Sequence, residues 1–214
     1  MKEKLNELLQ QLGPIYDASD IKKTCEKDSL KWGYSLVTSA LERSAPLILG
    51  FNWGANQNES YSNQKSVEMT NFEKEDVGSL TRIFPFIRNY FGEEYLSKVS
   101  QSNYVFFRSK TESQITPADI ERCRPVFIKL IEILEPSAII CLSAKLRKHL
   151  IDSNQVSELR EKVIKFKRGS RLVEFVACRG TFTADVDIKF LPHPNFPMTR
   201  DARLEAWKFC CEVQ

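Results

Sequence analysis

The chain has 214 residues, with 31 Lys+Arg against 28 Asp+Glu and a formal net charge of +3. That length suits a single domain, 1–214, and 42% hydrophobic with 28% charged residues describes a chain with a core, not a disordered one. So small a positive balance excludes a polybasic tail, while a basic groove inside a near-neutral domain stays compatible with DNA.

Leu5, Leu8, Leu9 and Leu12 lie at helical spacing, and Gly13-Pro14 is expected to stop that helix. With a second helix over 20–30, residues 1–44 read as a helical segment packed on the domain. These first residues lack the continuous apolar block of a signal peptide or a membrane span. A soluble, cytoplasmic protein is expected, or a nuclear one in a eukaryote. Residues 46–51, Pro-Leu-Ile-Leu-Gly-Phe, form a buried strand that empties into a polar loop over 52–58.

Residues 78–96 form an amphipathic stretch with Leu80, Ile83, Phe84, Ile87, Tyr90 and Phe91 on one face and Pro85 as an irregularity. Residues 104–107 predict a second buried strand, introduced by 100–103. Thr116 as N-cap, Pro117 at the first helical position and Asp119 at the capping-box position start a helix that ends near Leu134, before Pro136. A third strand covers 137–143, followed by a basic helix near 145–150. Segments 163–166 and 172–176 flank Arg168-Gly169-Ser170 as a hairpin. A fourth strand at 188–191 ends in Pro192-His193-Pro194-Asn195-Phe196-Pro197, and a closing helix holds Ala202, Leu204, Trp207, Phe209 and Cys210. Apolar strands alternating with helices predict an α/β fold, a three-layer αβα sandwich on a short, mainly parallel sheet.

Six cysteines, at 25, 123, 141, 178, 210 and 211, form no C-x-x-C pair, so neither a zinc site nor an iron-sulfur site is expected. They read as reduced thiols, mostly filling core.

In open parallel sheets ligands bind beyond the carboxyl ends of the strands. There the chain places Gly50-Phe51-Asn52-Trp53-Gly54, Asn103 at the second strand, and His193-Pro194-Asn195 after the fourth. These segments, in this order, resemble the uracil-DNA glycosylase superfamily. The first looks like the G-x-N-P-G motif of its mismatch-specific and single-strand-selective branches, and the last like H-P-S. The intervening order of Asn103, residues 115–119, a helix, Glu135-Pro136 and Ile139-Ile140 is similar as well, so the resemblance spans about residues 45–210.

The resemblance implies hydrolysis of the N-glycosidic bond of a flipped uracil or modified pyrimidine in DNA, leaving an abasic site, with no cofactor and no metal. It maps Asn52 to the residue that positions water and His193 to the one that stabilises the departing base. Asn103 maps to the base-reading residue. An Asn amide matches the O4 and N3–H edge of uracil and, turned over, the N3 and N4–H₂ edge of cytosine, which leaves the base open. Gly50, Phe51, Trp53 and Tyr61 complete the expected base pocket, with Trp53 standing where proline is usual and free to stack on a base. The polar run 56–64 supplies further contacts in this reading. DNA is the expected partner, held by a monomer. Asn195 replaces the usual serine, Phe196 and Met198 are candidate wedges, and Arg200, Arg203, Lys145 and Arg168 are candidate phosphate contacts. Acidic residues gather at 68–76 and at Glu93-Glu94, basic ones over 145–203, so one face is expected to be basic. Two rival readings use the same kind of fold: a nucleic-acid-binding module without turnover, and a nucleoside or nucleotide hydrolase.

Overall fold

In the computed structural model, residues 1–38, 42–56, 58–61, 64–67, 78–183 and 185–212 are described. Helix α1 (Lys2–Asp17) runs straight through Gly13-Pro14 instead of stopping there. The stripe of Leu5, Leu8 and Leu12 continues to Tyr16, which is buried against Tyr34 and Phe107 at ring-centroid distances of 5.2 and 5.3 Å. Burial of that extra turn outweighs the lost N–H and the ring clash of Pro14. Ser19 then caps α2 (Asp20–Lys27), its hydroxyl accepting from Lys22 N–H at 3.1 Å.

Residues 1–44 are not wholly helical, because β1 (Ser35–Thr38) enters the sheet with all four side chains buried. Four residues are too few to show a period. Strand β2 (Leu47–Gly54) carries the apolar run and continues through the segment expected as loop. It pairs with β4 (Ser100–Ser109) as far as Gly54↔Ser109, whereas its pairing with β5 (Ile139–Cys141) ends at Leu49↔Cys141. Beyond Leu49 one edge of β2 therefore has no strand beside it. β3 (Gln64–Val67) lies at the sheet edge beside β1; the acidic run at 68–76 is outside the described residues.

The amphipathic stretch breaks into a 3₁₀ turn at Gly78–Ile83, α3 (Phe84–Phe91) and a second 3₁₀ turn at Glu93–Ser97. Pro85 sits in the first turn of α3, where its missing N–H costs no helical bond. The Thr116–Asp119 capping box starts α4 (Pro117–Leu134) as the sequence predicts, with Asp119 N–H on Thr116 Oγ1 at 3.2 Å. Next come α5 (Ala144–Asp152), the long hairpin of β6 (Val156–Arg168) and β7 (Arg171–Phe182), β8 (Val186–Phe190) and α6 (Arg200–Cys211). Gly169 takes φ +60° in the hairpin turn, a conformation that side chains rarely adopt.

Among the described residues the sheet is mixed and eight-stranded, in the order β3-β1-β4-β2-β5-β8-β7-β6. The central β4-β2-β5-β8 unit is parallel, but β1 joins it antiparallel, as do β7 and β6 on the other side. The expectation of a mainly parallel sheet thus holds for the centre only, because the flanks are built by short-range hairpin and edge pairing. Alternate β2 residues feed two apolar clusters: Leu47 and Leu49 join α1, α4 and α5, and Ile48 joins α3 and α6. All six cysteines are free thiols. Among the described residues no helix is long and apolar enough to cross a membrane.

Candidate functional site

The unpaired edge of β2 opens a cavity of about 390 Å³ between the carboxyl ends of β2, β5 and β8. This lies at the switch point of the parallel unit, where β4 is added on one side of β2 and β5 on the other. Asn52, Asn103, His193, Gly50, Phe51 and Lys145 all line it. Three polar side chains far apart in sequence are thus brought to one small volume.

Asn103 is only 3% exposed, and its side chain lines the cavity. Its place depends on Gly50, its cross-strand neighbour: a Cβ on Gly50 would stand 2.2 Å from Asn103 Oδ1. The glycine of the motif is therefore the space that the amide occupies.

Asn52 lies at a register shift in the β2–β4 pairing, half-buried. Its Nδ2 donates to Trp53 O at 2.9 Å and to Ser109 Oγ at 2.7 Å. Both amide hydrogens are used by the protein, which leaves Oδ1 to accept from a water.

His193 stands at the cavity rim. Its Nδ1 accepts from Asn195 N–H at 3.1 Å, so in the neutral ring Nε2 carries the proton and is the donor. Desolvation lowers its pKa from the ordinary histidine value; Glu112 pulls it upward and Arg203 pushes it down again. Neutral imidazole is the form these surroundings favour near pH 7. Lys145 Nζ lies 4.3 Å from the Phe51 ring centroid and donates to Glu112 O at 2.6 Å, so this lysine is a wall of the cavity and not an outlying phosphate contact.

Several expected site residues fall elsewhere. Trp53 is 8% exposed, with its indole N–H on Ser35 O at 2.5 Å and the Arg108 guanidinium 5.8 Å from its ring; it lies outside the cavity and does not stack there. The bulge after Asn52 turns it into the protein. Tyr61 is also outside, its hydroxyl held by Glu59 and by Asn56 N–H, with Arg108 4.4 Å from its ring. Of the polar run 56–64, residues 57, 62 and 63 lie outside the described residues.

Phe196 is half-buried against Phe166 and Phe175 at 6.2 and 5.6 Å, which removes it as a wedge. Arg203, 9% exposed, is no phosphate contact either: it donates to the carbonyls of Pro192, His193, Pro194 and Phe196 at 2.8–3.3 Å. Asn195 is exposed, but its backbone orients His193 and its Oδ1 accepts from Arg82 Nη1 at 3.3 Å. Met198 is half-buried and Arg200 exposed, both beside a second cavity; Arg168 is exposed at the hairpin tip.

Sequence reading missed Glu112, Gln101, Ser143 and Leu80, which also line the first cavity. Glu112 and Ser143 follow β4 and β5, and the rule of looking past strand ends applied there would have found them. Glu112 supplies the one carboxylate that the described cavity has. Ser143 caps α5, whose amino end therefore adds positive potential at the cavity wall. Compared with known proteins, the chain matches no family model and no curated protein.

Proposed function

We propose that this chain is a monofunctional DNA glycosylase of the uracil-DNA glycosylase type, a three-layer α/β domain that hydrolyses the bond between deoxyribose and a flipped uracil or modified pyrimidine. The observation that carries the reading is the meeting of Asn52, Asn103 and His193 in one cavity at the switch point, with Asn103 held almost wholly buried at its wall.

In this reading the base enters the cavity and Asn103 takes up its hydrogen-bonding edge. Asn52 Oδ1 holds a water on the sugar side. As the C1′–N1 bond breaks, its electron pair leaves on the base, where His193 Nε2–H donates to the developing anion. The water oxygen bonds to C1′ of the oxocarbenium-like sugar, and its proton passes to the Glu112 carboxylate. Asn52 itself cannot take that proton, because an amide is not a base at neutral pH.

The direct test is a panel of oligonucleotides, each with one modified or deaminated base, assayed for released base and alkali-labile abasic product. Release from at least one is expected; binding without release from any would favour the non-cleaving module. With the processed substrate, Asn52→Ala is expected to abolish turnover while DNA affinity stays within about twofold, since the amide touches water and not phosphate. Asn52→Asp is also expected to lose activity. A carboxylate there would set an acceptor against Trp53 O, where the amide now donates. Undiminished base release by Asn52→Ala would overturn its role.

Gly50→Ala tests the reading arm. The new methyl forces the Asn103 amide off its position, and about 1–3 kcal/mol of discrimination between bases is expected to vanish with the fold retained. Competition between correct and incorrect substrates measures this directly, with circular dichroism as the check on folding.

A further inference from the structure

The largest of the described cavities near the site, about 810 Å³, lies on the other side of the His193 loop, between α3, residues 194–198 and the first turn of α6. We propose that it holds the nucleotide adjacent to the target base on the same strand, an inference that rests on the glycosylase reading of the first cavity.

Its lining combines basic and apolar side chains, the two kinds of surface a nucleotide site uses. Arg82 and Arg200 have no carboxylate within ion-pair distance among the described residues, while Arg203 also lines the cavity with its guanidinium spent on backbone carbonyls. Arg82 and Arg203 are close enough for each charge to be felt by the other. Two arginines with no counter-ion among the described residues favour an anion, and their planar donors suit a phosphodiester. Phe86, Met198 and Leu204 line the same cavity. Phe86 is fixed by stacking on Trp207 at 5.0 Å with an interplanar angle of 10°, and Leu204 is 48% exposed, unusual for a large apolar side chain. Guanidinium groups and apolar side chains in one cavity fit a phosphate with its base, and fit neither a free phosphate nor an uncharged ligand as well.

The connection to the first cavity is direct. His193 lines the first, and Pro194 and Asn195 line the second, so one turn of chain separates them. With Phe196 folded inward against the hairpin, the loop presents a receptacle beside the target where the sequence suggests a wedge. A neighbouring base in this cavity is unstacked from the target, which itself favours flipping.

The test is an abasic scan: a short fluorescent single-stranded DNA with one central uracil, in which a stable abasic analogue replaces each neighbouring nucleoside in turn. Affinity for the full chain is read by anisotropy and base release in parallel. Loss of the base at one position next to uracil is expected to weaken binding about tenfold, with the other positions within about twofold. Leu204→Asp, on an exposed position of α6, is expected to flatten this profile. Met198→Trp, which fills the cavity from another element, is expected to do the same if Leu204→Asp folds poorly. A flat scan with base release intact overturns the second site and leaves the glycosylase reading standing. A single sensitive position without base release supports the second site and rejects excision of uracil. A profile unchanged in both variants, or no binding at all, overturns the proposal.

Discussion

Arg203→Ala is expected to destabilise the fold by about 3–5 kcal/mol and to remove base release together with it. The guanidinium leaves α6 and donates to four backbone carbonyls of the loop that carries His193, at 2.8–3.3 Å. Bonds from a charged donor contribute about 1.5–3 kcal/mol each, less when they share one group, and truncation strands carbonyls in a partly buried turn. Burial lowers the Arg203 pKa, and the Arg82 charge lowers it further. Arg203→Lys should rescue little, because a single ammonium lacks the fork that spans four acceptors. Thermal denaturation and single-turnover base release are the two measurements. A phosphate contact behaves differently: the fold keeps its stability, DNA affinity falls, and the salt slope drops by about one. That second pattern would restore the role the sequence suggests and overturn the structural one.

The contrast between those two roles shows where sequence reasoning reaches and where it stops. An arginine in the first turn of a helix after a proline-rich loop looks solvent-facing, because helical position says nothing about a loop that folds back over it. The same limit applies to Trp53. As the residue after a motif asparagine it invites a ligand role, yet one register shift between Asn52 and Trp53 turns it inward to Ser35.

Features with a local physical cause were legible. The Thr116 capping box, the buried run before Gly50 and the turn around Gly169 each follow from chemistry within a few residues. Features set by competition between distant segments were not. Pro14 fails to stop α1 because Tyr16 finds a buried place against Phe107, ninety-one positions on. The antiparallel flanks of the sheet depend on which edges are left open. The cavity itself was half legible: strand ends named Asn52, Asn103 and His193, whereas its shape depends on β5 being shorter than β2. That length difference leaves no hydrophobic signal beyond a three-residue strand.

The acid limb of base release is expected to report His193. Its folded pKa lies below the ordinary value of 6.5, chiefly through desolvation, with Glu112 opposing and Arg203 assisting. The unfolded chain thus binds the proton more readily. The histidine's contribution to stability is complete above about pH 6.5 and is lost as pH falls through the folded value. Protonation also places a hydrogen on Nδ1, facing the Asn195 N–H that Nδ1 now accepts, and so loosens the loop. Base release should therefore fall with one-proton dependence at a midpoint below 6.5. His193→Ala is expected to lower the rate about 10²–10³-fold, the loss typical of one donor to a developing anion, and to abolish that limb. Glu112→Gln separates the groups: with the carboxylate charge gone, the imidazole loses the partner that raises its pKa, and the limb moves to lower pH as the rate falls. A limb that stays in place in both variants would assign the titration to a group other than His193.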